Sequence, residues 1–269
     1  MFLRAKECME WTSSMKIWYN YIDNLSEERR IHMRLTVLGN NGPYPTPGGA
    51  CSGYLLSSDS GRTTILLECG TGVLSRLSQY TDLNSIDAVI LSHLHYDHMS
   101  DMLPLHYALQ FNPRKRPLDI YAPAQPAEVR NLLKGNATDV WPMRETVVGE
   151  MKIRFCPVRH PVETYAVSVE CDGARFVYTG DSNTDFALEL FCDSADFLLA
   201  DAGLSNEDHT ESSPHLSAAL CGKLAKDTGA KRLLLTHFNP KYNPDDLCAE
   251  AREFYPSAEI ALCGESYYI

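Results

Sequence analysis

The sequence predicts an α/β (α+β) fold in which two sheets pack face to face and helices cover their outer sides. One observation is that short apolar runs alternate with helix-like patterns from Met33 to the end of the chain. A second is a faint internal repeat, because residues 54–68 and 165–181 both have the pattern of a hairpin that ends in an acidic residue. Two similar halves of strands and helices have two apolar sheet faces to bury, and packing these faces on each other does so.

The individual elements are predicted from the spacing of apolar residues and from the turn residues between them. The predicted strands cover residues 33–39, 53–58, 63–68, 86–92, 118–121, 151–158, 165–170, 174–179, 196–201, 231–236 and 258–262. The predicted helices cover residues 71–80, 99–110, 125–134, 184–192, 215–228 and 245–254.

The repeat extends beyond the hairpins to the strands that follow them. The first hairpin turns at Asp59-Ser60-Gly61 and the second at Asp172-Gly173. Later in each half a buried strand is followed by a histidine, His93 in the first half and His237 in the second. We therefore expect each half to direct a carboxylate and a histidine to one common edge.

Residues 1–32 form a charged lead segment ahead of the predicted domain, which covers residues 33–269. The block Glu27-Glu28-Arg29-Arg30 lies shortly before Met33, and it could be the translation of a purine-rich ribosome-binding sequence. One interpretation is that Met33 is the natural start. The other is that the lead segment is an N-terminal helix.

The charge balance and the cysteines limit the classes of partner. The 269 residues include 24 Lys and Arg against 35 Asp and Glu, a formal net charge of −11, which disfavours long nucleic acids as partners. Nine cysteines form no C-x-x-C pair, which is typical of reduced thiols in an intracellular protein. No apolar signal segment and no run of roughly eighteen apolar residues is present, so we expect a cytoplasmic protein without a membrane partner.

The strongest motif is the H-x-H-x-D-H cluster at the end of the strand predicted over residues 86–92. In extended backbone the side chains of His93 and His95 point the same way, so the pair can hold one ion. As the chain turns into the next helix, Asp97 and His98 can reach a second ion beside the first. Imidazole nitrogen and carboxylate oxygen suit zinc, and also manganese or iron.

Three further residues at strand ends complete a candidate set of metal ligands. His160 follows a predicted strand, Asp181 ends the second hairpin, and His237 ends a Leu-rich strand. Alone, each of them is typical of an ordinary polar residue at the end of a strand. Together with the first cluster, they predict a site for two ions.

The order of these seven residues resembles the metallo-β-lactamase superfamily of dinuclear hydrolases, from about Met33 to the end of the chain. The resemblance implies an αββα four-layer sandwich with the site at one edge. It implies that one metal is bound by His93, His95 and His160, a second by Asp97, His98 and His237, and that Asp181 bridges the two. Glu68 corresponds to an acidic residue, usually Asp, that supports the ligand loop in such proteins, and it is not counted as a ligand.

The segment that contains His215 is similar to the ribonuclease Z and phosphodiesterase branch, in which a histidine precedes a helix and the next strand ends in Leu-Thr-His. This resemblance implies that His215, oriented by Asp201, protonates the leaving oxygen or stabilises its charge, and Asp97 is counted with them as catalytic. The alternative is that Ser213-Pro214 begins the helix and that His215 is an ordinary residue of its first turn. The chain has no basic, Gly-rich arm of the kind that grips tRNA, and it is closer in pattern to small bacterial hydrolases of this fold.

These implications predict a hydrolase with two divalent metal ions, in which a bridging water has its pKa lowered to about 7. The expected substrate is a small phosphodiester, either a cyclic nucleotide or a short oligonucleotide. A carboxylic ester, a lactone or an amide is the alternative among enzymes. If the protein is not an enzyme, the alternative is a metal-binding sensor or interaction module. The sequence leaves open whether the protein forms a homodimer.

Overall fold

Two mixed sheets of seven strands each form the centre of the computed structural model, which describes residues 32–269. The strands are β1 (Met33–Gly39), β2 (Gly53–Ser58), β3 (Thr64–Leu67), β4 (Ala88–Ile90), β5 (Leu118–Tyr121), β6 (Thr138–Trp141), β7 (Thr146–Val148), β8 (Met151–Pro157), β9 (Tyr165–Cys171), β10 (Ala174–Tyr178), β11 (Phe197–Asp201), β12 (Leu233–Thr236), β13 (Glu259–Ile260) and β14 (Ser266–Tyr268). The helices are α1 (Val73–Leu77), α2 (Tyr96–Met99), α3 (Met102–Phe111), α4 (Ala127–Asn131), α5 (Phe186–Cys192), α6 (Ala218–Asp227) and α7 (Pro244–Arg252), with a short 3₁₀ turn at Leu83–Ser85. The two interpretations of residues 1–32 concern a segment that, apart from His32, lies outside the described residues.

Three apolar clusters divide these elements into layers. The first lies between the sheets and takes alternate residues of strands from both, such as Leu67 and Leu199. The second lies on the outer side of one sheet, where Leu198 packs with helices α5 to α7. The third lies on the outer side of the other sheet, where Leu66 packs with α1 and α3. This arrangement confirms the predicted αββα sandwich and explains why central strands such as β3 and β4 carry apolar residues on both faces.

The two sheets repeat one strand order. The first runs β14-β1-β2-β3-β4-β5-β6 and the second runs β13-β12-β11-β10-β9-β8-β7. In each, an antiparallel hairpin, β2–β3 or β9–β10, is followed by three strands that pair in parallel. Both predicted hairpins are therefore confirmed.

The repeat differs in one detail from the sequence prediction. By pairing order β4 corresponds to β11, and β12 corresponds to β5. The predicted equivalence of the strands before His93 and His237 is therefore wrong. The two histidines still lie at a common edge, because the parallel strands of each sheet end at one edge and the two sheets pack face to face.

Helix α6 begins three residues later than predicted. Ser217 is its N-cap and accepts a hydrogen bond from the backbone N–H of Leu220 at 3.3 Å. The alternative in which Ser213-Pro214 begins the helix is therefore wrong, and His215 lies in the loop that precedes it. Strands β6, β7 and β14 were not predicted; each is three or four residues long and lies at the edge of its sheet.

Among the described residues, no helix is both long and apolar enough to cross a membrane.

Candidate metal centre

The first four candidate ligands lie where β4 gives way to helix α2. His95 has extended backbone angles and is the N-cap residue of α2, and its carbonyl accepts the backbone N–H of His98 at 3.0 Å. Asp97 and His98 therefore lie in the first turn of the helix, while His93 and His95 lie in the chain leading into it. The structure thus places the four side chains around one turn of the backbone.

One cluster combines His93, His95, His160 and Asp181. The Nε2 atom of His93 lies 3.0 Å from Nδ1 of His95, and Nε2 of His160 lies 3.2 Å from that same Nδ1. The Oδ2 atom of Asp181 lies 3.6 Å from Nε2 of His93. These four atoms converge on one position from three different loops.

A second cluster combines Asp97, His98, His237 and the same Asp181. Oδ2 of Asp181 lies 3.3 Å from Nε2 of His98 and 3.3 Å from Nε2 of His237. Oδ2 of Asp97 lies 3.5 Å from the first of these nitrogens and 3.8 Å from the second. One oxygen of Asp181 therefore lies within 3.6 Å of imidazole nitrogens from both clusters.

The separations fit divalent ions rather than direct hydrogen bonding alone. Ligand atoms 2.0–2.1 Å from a tetrahedral zinc ion lie about 3.3 Å from each other, which is close to the separations in both clusters. Both ring nitrogens of His98 and Oδ1 of Asp181 are buried and have no hydrogen-bond partner within residues 32–269. Leaving such atoms unpaired is costly, and a cation held between the side chains removes part of this cost.

The second nitrogen of most of these imidazoles faces a polar atom of the surrounding shell. Nδ1 of His93 lies 3.0 Å from Oγ of Ser92, Nδ1 of His237 lies 3.1 Å from Oγ of Ser52, and Nδ1 of His160 lies 2.9 Å from the carbonyl of Pro214. Nδ1 of His98 lies 3.5 Å from Oε1 of Glu68. Contacts of this kind fix the orientation of an imidazole and the nitrogen that is left for a metal.

Glu68 lies directly beside the clusters, because one of its carboxylate oxygens and ring nitrogens of His93 and His98 all lie within 4.8 Å of one another. It is fully buried with φ at 62°, and its carboxylate accepts the backbone N–H of Ser92 at 3.1 Å. Burial raises the pKa of Glu68, against the effect of His98 and Ser92. Its contacts therefore support the loop that carries the first ligands.

Burial and mutual contact set the protonation of the cluster in the metal-free chain. Burial lowers the pKa of His93 well below its ordinary value and also lowers the pKa of His95 and His160. Burial opposes the ionisation of Asp181, but the neighbouring imidazoles outweigh it and hold the pKa of Asp181 well below its usual range. Burial likewise opposes the charge on His98, and the contact with Asp181 overcomes this and raises the pKa of His98 well above its ordinary value. Three neutral imidazoles and an ionised carboxylate are the forms of these groups that bind a metal.

His215 and Asp201 form a separate hydrogen-bonded pair beside the second cluster. Nδ1 of His215 lies 2.9 Å from Oδ2 of Asp201 and 3.8 Å from Oδ2 of Asp181. The ring of His215 stacks on that of His237 with centroids 5.1 Å apart, and its side chain is 21% exposed. Burial favours the neutral ring, but the charge and hydrogen bond of Asp201 raise the pKa of His215 to about 9.

Sequence reasoning missed Asn183, which is fully buried two residues after Asp181. Its Nδ2 donates to the carbonyls of Ser213 at 2.7 Å and Glu211 at 3.1 Å, and its Oδ1 lies 3.0 Å from Nε2 of His209. Asn183 thus anchors the loop of residues 209–215, which presents His215. A lone Asn after a Gly-Asp turn carries no sequence signal for this role.

Sequence reasoning also missed the contact between Gly42 and His237. His237 has φ at 58°, and a Cβ atom on Gly42 would lie 2.1 Å from the His237 ring. Only glycine leaves room for the imidazole at this position. The loop that contains Gly42 therefore forms one wall of the second cluster.

Together, an αββα sandwich and adjoining histidine–carboxylate clusters at its edge define a metallo-hydrolase of the β-lactamase type. The chain belongs to the β-lactamase superfamily, since the model for the "Beta-lactamase superfamily domain" matches residues 63–238. That segment includes every residue of both clusters.

Comparison with individual proteins agrees with this family. The chain is 33% identical over 243 residues to the "Probable metallo-hydrolase YhfI" of Bacillus subtilis (strain 168), covering 86% of this chain and 98% of that protein. The crystal structure of YhfI superposes with a TM-score of 0.84, covering 89% of this chain and 100% of that one, at 32% identity. A "Ribonuclease Z" of Haloarcula marismortui is 24% identical over 295 residues, covering 86% of this chain and 94% of that protein. The structure of a "New Diphosphatase from the PhnP Family" shares the fold with a TM-score of 0.68 at 20% identity, covering 88% of this chain and 98% of that one.

Proposed function

We propose that this protein hydrolyses small phosphodiesters, such as a cyclic nucleotide or a short oligonucleotide, with two divalent metal ions. The observation that carries the proposal is the His215–Asp201 pair, 2.9 Å apart, beside two histidine–carboxylate clusters that share Asp181. Relatives and fold neighbours named ribonuclease Z and diphosphatase support the phosphoester class.

The two clusters assign the ligands in this proposal. His93, His95 and His160 would hold one ion, Asp97, His98 and His237 would hold the other, and Asp181 would contribute to both. The donor set suits zinc, with manganese and iron as alternatives. Bound divalent ions supply a hydroxide at neutral pH and polarise the oxygens of the substrate.

The remaining steps belong to side chains of the chain itself. Asp201 accepts the Nδ1–H of His215, which fixes the tautomer and leaves Nε2 to exchange a proton with the substrate. A protonated Nε2 can donate to the oxygen that departs from phosphorus, so that the leaving group does not depart as an alkoxide. Asp97 binds at the edge of the second cluster, where its side chain is 10% exposed and faces the approach to the ions.

The size and charge of the protein favour a small substrate over a long nucleic acid. The net charge is −11, and a long polyanion binds by contacts to many Lys and Arg residues. A diester of a few nucleotides needs only the ions and the groups beside them.

Metal analysis and an activity screen test the proposal together. Protein purified under metal-replete conditions is expected to contain two ions per chain and to cleave bis(p-nitrophenyl) phosphate faster than p-nitrophenyl acetate or a lactone. Faster cleavage of the ester or lactone would assign the site to carboxylic substrates. Bound metal without turnover of any of them would favour a sensor or interaction module.

A further inference from the structure

A second site candidate is a cavity of about 810 Å³ beside helix α3 and the loop of residues 113–117. Its volume lies in the range of small-molecule sites, roughly 300 to 1,000 Å³. None of its lining residues belongs to either histidine–carboxylate cluster. The cavity runs along helix α3 from Leu103 to Gln110 and is a different site from the two clusters.

The charge of this cavity is opposite to that of the chain. Its lining includes four cations, Arg114, Lys115, Arg116 and Lys134, and no Asp or Glu. In a protein with 35 acidic and 24 basic residues, four cations around one cavity are a local reversal of charge. Such a concentration attracts anions and raises their local concentration.

These cations form no close ion pair with a carboxylate of the described chain. No ion pair within residues 32–269 involves any of the four. Arg114, Lys115 and Arg116 also line an adjoining cavity, which contains the carboxylates of Asp87, Asp119 and Asp139. Two of the three are already engaged, because Asp87 accepts the backbone N–H of Thr64 at 2.8 Å and Asp119 accepts Nε1–H of Trp141 at 2.7 Å.

The loop that carries the cations is held in place by Arg114. Its guanidinium donates to the carbonyl of Leu83 at 2.8 Å and to the carbonyl of Ile86 at 2.6 Å. Lys115 and Arg116 are exposed, and within residues 32–269 their side chains form no hydrogen bond or ion pair, so their charges are available to a ligand. Arg114 therefore fixes a loop that presents these two cations to solvent.

Part of the cavity wall is apolar and aromatic. The cavity is lined by Leu103 and Tyr107 of α3, whose side chains are 48% and 63% exposed. The ring of Tyr107 is supported by an edge contact with Phe111, with centroids 5.0 Å apart. An exposed, supported ring offers a face on which a nucleobase can stack.

We propose that this cavity binds a nucleoside phosphate, with the phosphate on Lys115, Arg116 and Lys134 and the base on Tyr107. The combination of a cationic rim and an aromatic wall matches the two chemical parts of such a ligand. The phosphate has two sources, a separate nucleotide or the far end of an oligonucleotide substrate. Only the second source rests on the function proposed above.

Equilibrium dialysis of full-length protein with AMP tests the binding. It is carried out in the Asp181→Ala background, which is expected to lose its metal, so that binding at the metal centre does not contribute. Adding Lys115→Ala and Arg116→Ala is expected to weaken AMP binding about tenfold or more, since hydrogen bonds to charged groups are lost. Adding Lys223→Ala and Lys226→Ala, two exposed cations of α6, removes the same charge elsewhere and is expected to leave binding unchanged.

Equal AMP affinity in the two charge-matched variants would overturn the proposal. Photolabelling of the unaltered protein with 8-azido-AMP is a second measurement that does not depend on any substitution. Label in the peptide that contains Tyr107 supports the site, and label confined to the loops of the metal centre contradicts it. Both measurements are independent of turnover, so failure of the proposed hydrolysis would not affect them.

Kinetics then distinguish the two sources of phosphate. If the cavity holds the end of an oligonucleotide substrate, Lys115→Ala/Arg116→Ala raises KM for a tetranucleotide but not for bis(p-nitrophenyl) phosphate. If it holds a separate nucleotide, AMP changes turnover of bis(p-nitrophenyl) phosphate in the unaltered protein and not in that variant.

Discussion

At the scale of single residues, His215 differs from the seven candidate ligands because its Nδ1 is engaged by Asp201. We expect His215→Ala to retain both metals and the fold, while kcat for a diester with a poor alkoxide leaving group falls by roughly 10² to 10⁴. For p-nitrophenolate, which is stable as an anion, the loss should be much smaller. Steady-state rates on the two substrates, with metal content measured in parallel, check this.

Asp201→Asn is the matched variant for the same role. It keeps the shape of the side chain but weakens the orientation and polarisation of His215, so a smaller version of the same defect is expected. Equal losses for good and poor leaving groups would assign His215 to stabilisation of charge rather than to proton donation. Full activity of the variants on both substrates would show that His215 takes no part in the reaction.

The protonation of His215 also predicts a pH dependence. Burial alone would lower its pKa, but Asp201 raises the pKa to about 9, so the acid form is present below that pH and is lost as the pH rises through it. For a poor leaving group, kcat should therefore decline above pH about 9. A pH–rate profile of His215→Ala should lack this alkaline decline, and its persistence would assign the decline to another group.

Asp181 is the residue on which the two-ion assignment depends. Because its Oδ2 lies 3.3 Å from a nitrogen of both His98 and His237 and 3.6 Å from His93, its removal affects both clusters. Asp181→Ala is expected to lose metal and activity together. Asp227→Ala, at an exposed position of α6, is the control. Two ions retained by Asp181→Ala in elemental analysis would contradict the bridging role.

At the scale of elements, the loop of residues 209–215 connects the candidate general acid to the ligands. The carbonyl of Pro214 accepts a hydrogen bond from Nδ1 of His160, and the carbonyl of Ser213 in the same loop accepts one from Nδ2 of Asn183. Asn183→Ala leaves buried carbonyls unpaired, and the expected cost is about 1–3 kcal/mol of unfolding free energy. Because His215 is then poorly placed, we expect a larger loss of kcat for alkoxide leaving groups than for p-nitrophenolate.

Asn131→Ala, at an exposed position of α4, is the comparison for this variant. Thermal unfolding and the two leaving-group series are measured on both proteins. A loss of stability with an unchanged ratio between the two substrates would limit Asn183 to a structural role.

The elements also show which parts of the structure could be predicted. The H-x-H-x-D-H cluster was predictable because its spacing is local and because it follows an apolar strand. Asn183 and Ser52 were not, since their partners lie 26 to 30 and 185 residues away in sequence. Strands β6, β7 and β14 are too short for periodicity to be visible, and their pairing is decided by the sheet.

At the scale of the whole molecule, the repeated strand order explains how distant parts of the sequence form one site. Each sheet ends its parallel strands at one edge, and the two edges meet because the sheets pack face to face. The first sheet supplies His93 to His98, and the second supplies Asp181, Asp201 and His237. A site between two packed sheets is rigid, because moving any ligand would disturb the core below it.

The charge of the whole molecule leads to a prediction about substrate size. A precursor tRNA must be held by phosphate contacts over a large surface, and a chain with a net charge of −11 offers few of these outside the cavity beside α3. We therefore expect kcat/KM for a dinucleotide or a cyclic nucleotide to exceed that for a precursor tRNA by several decades at physiological salt. Lowering the salt should narrow the gap, because phosphate contacts strengthen as counterions are diluted. Efficient processing of the precursor at physiological salt would refute the small-substrate assignment while leaving the metal centre and the role of His215 intact.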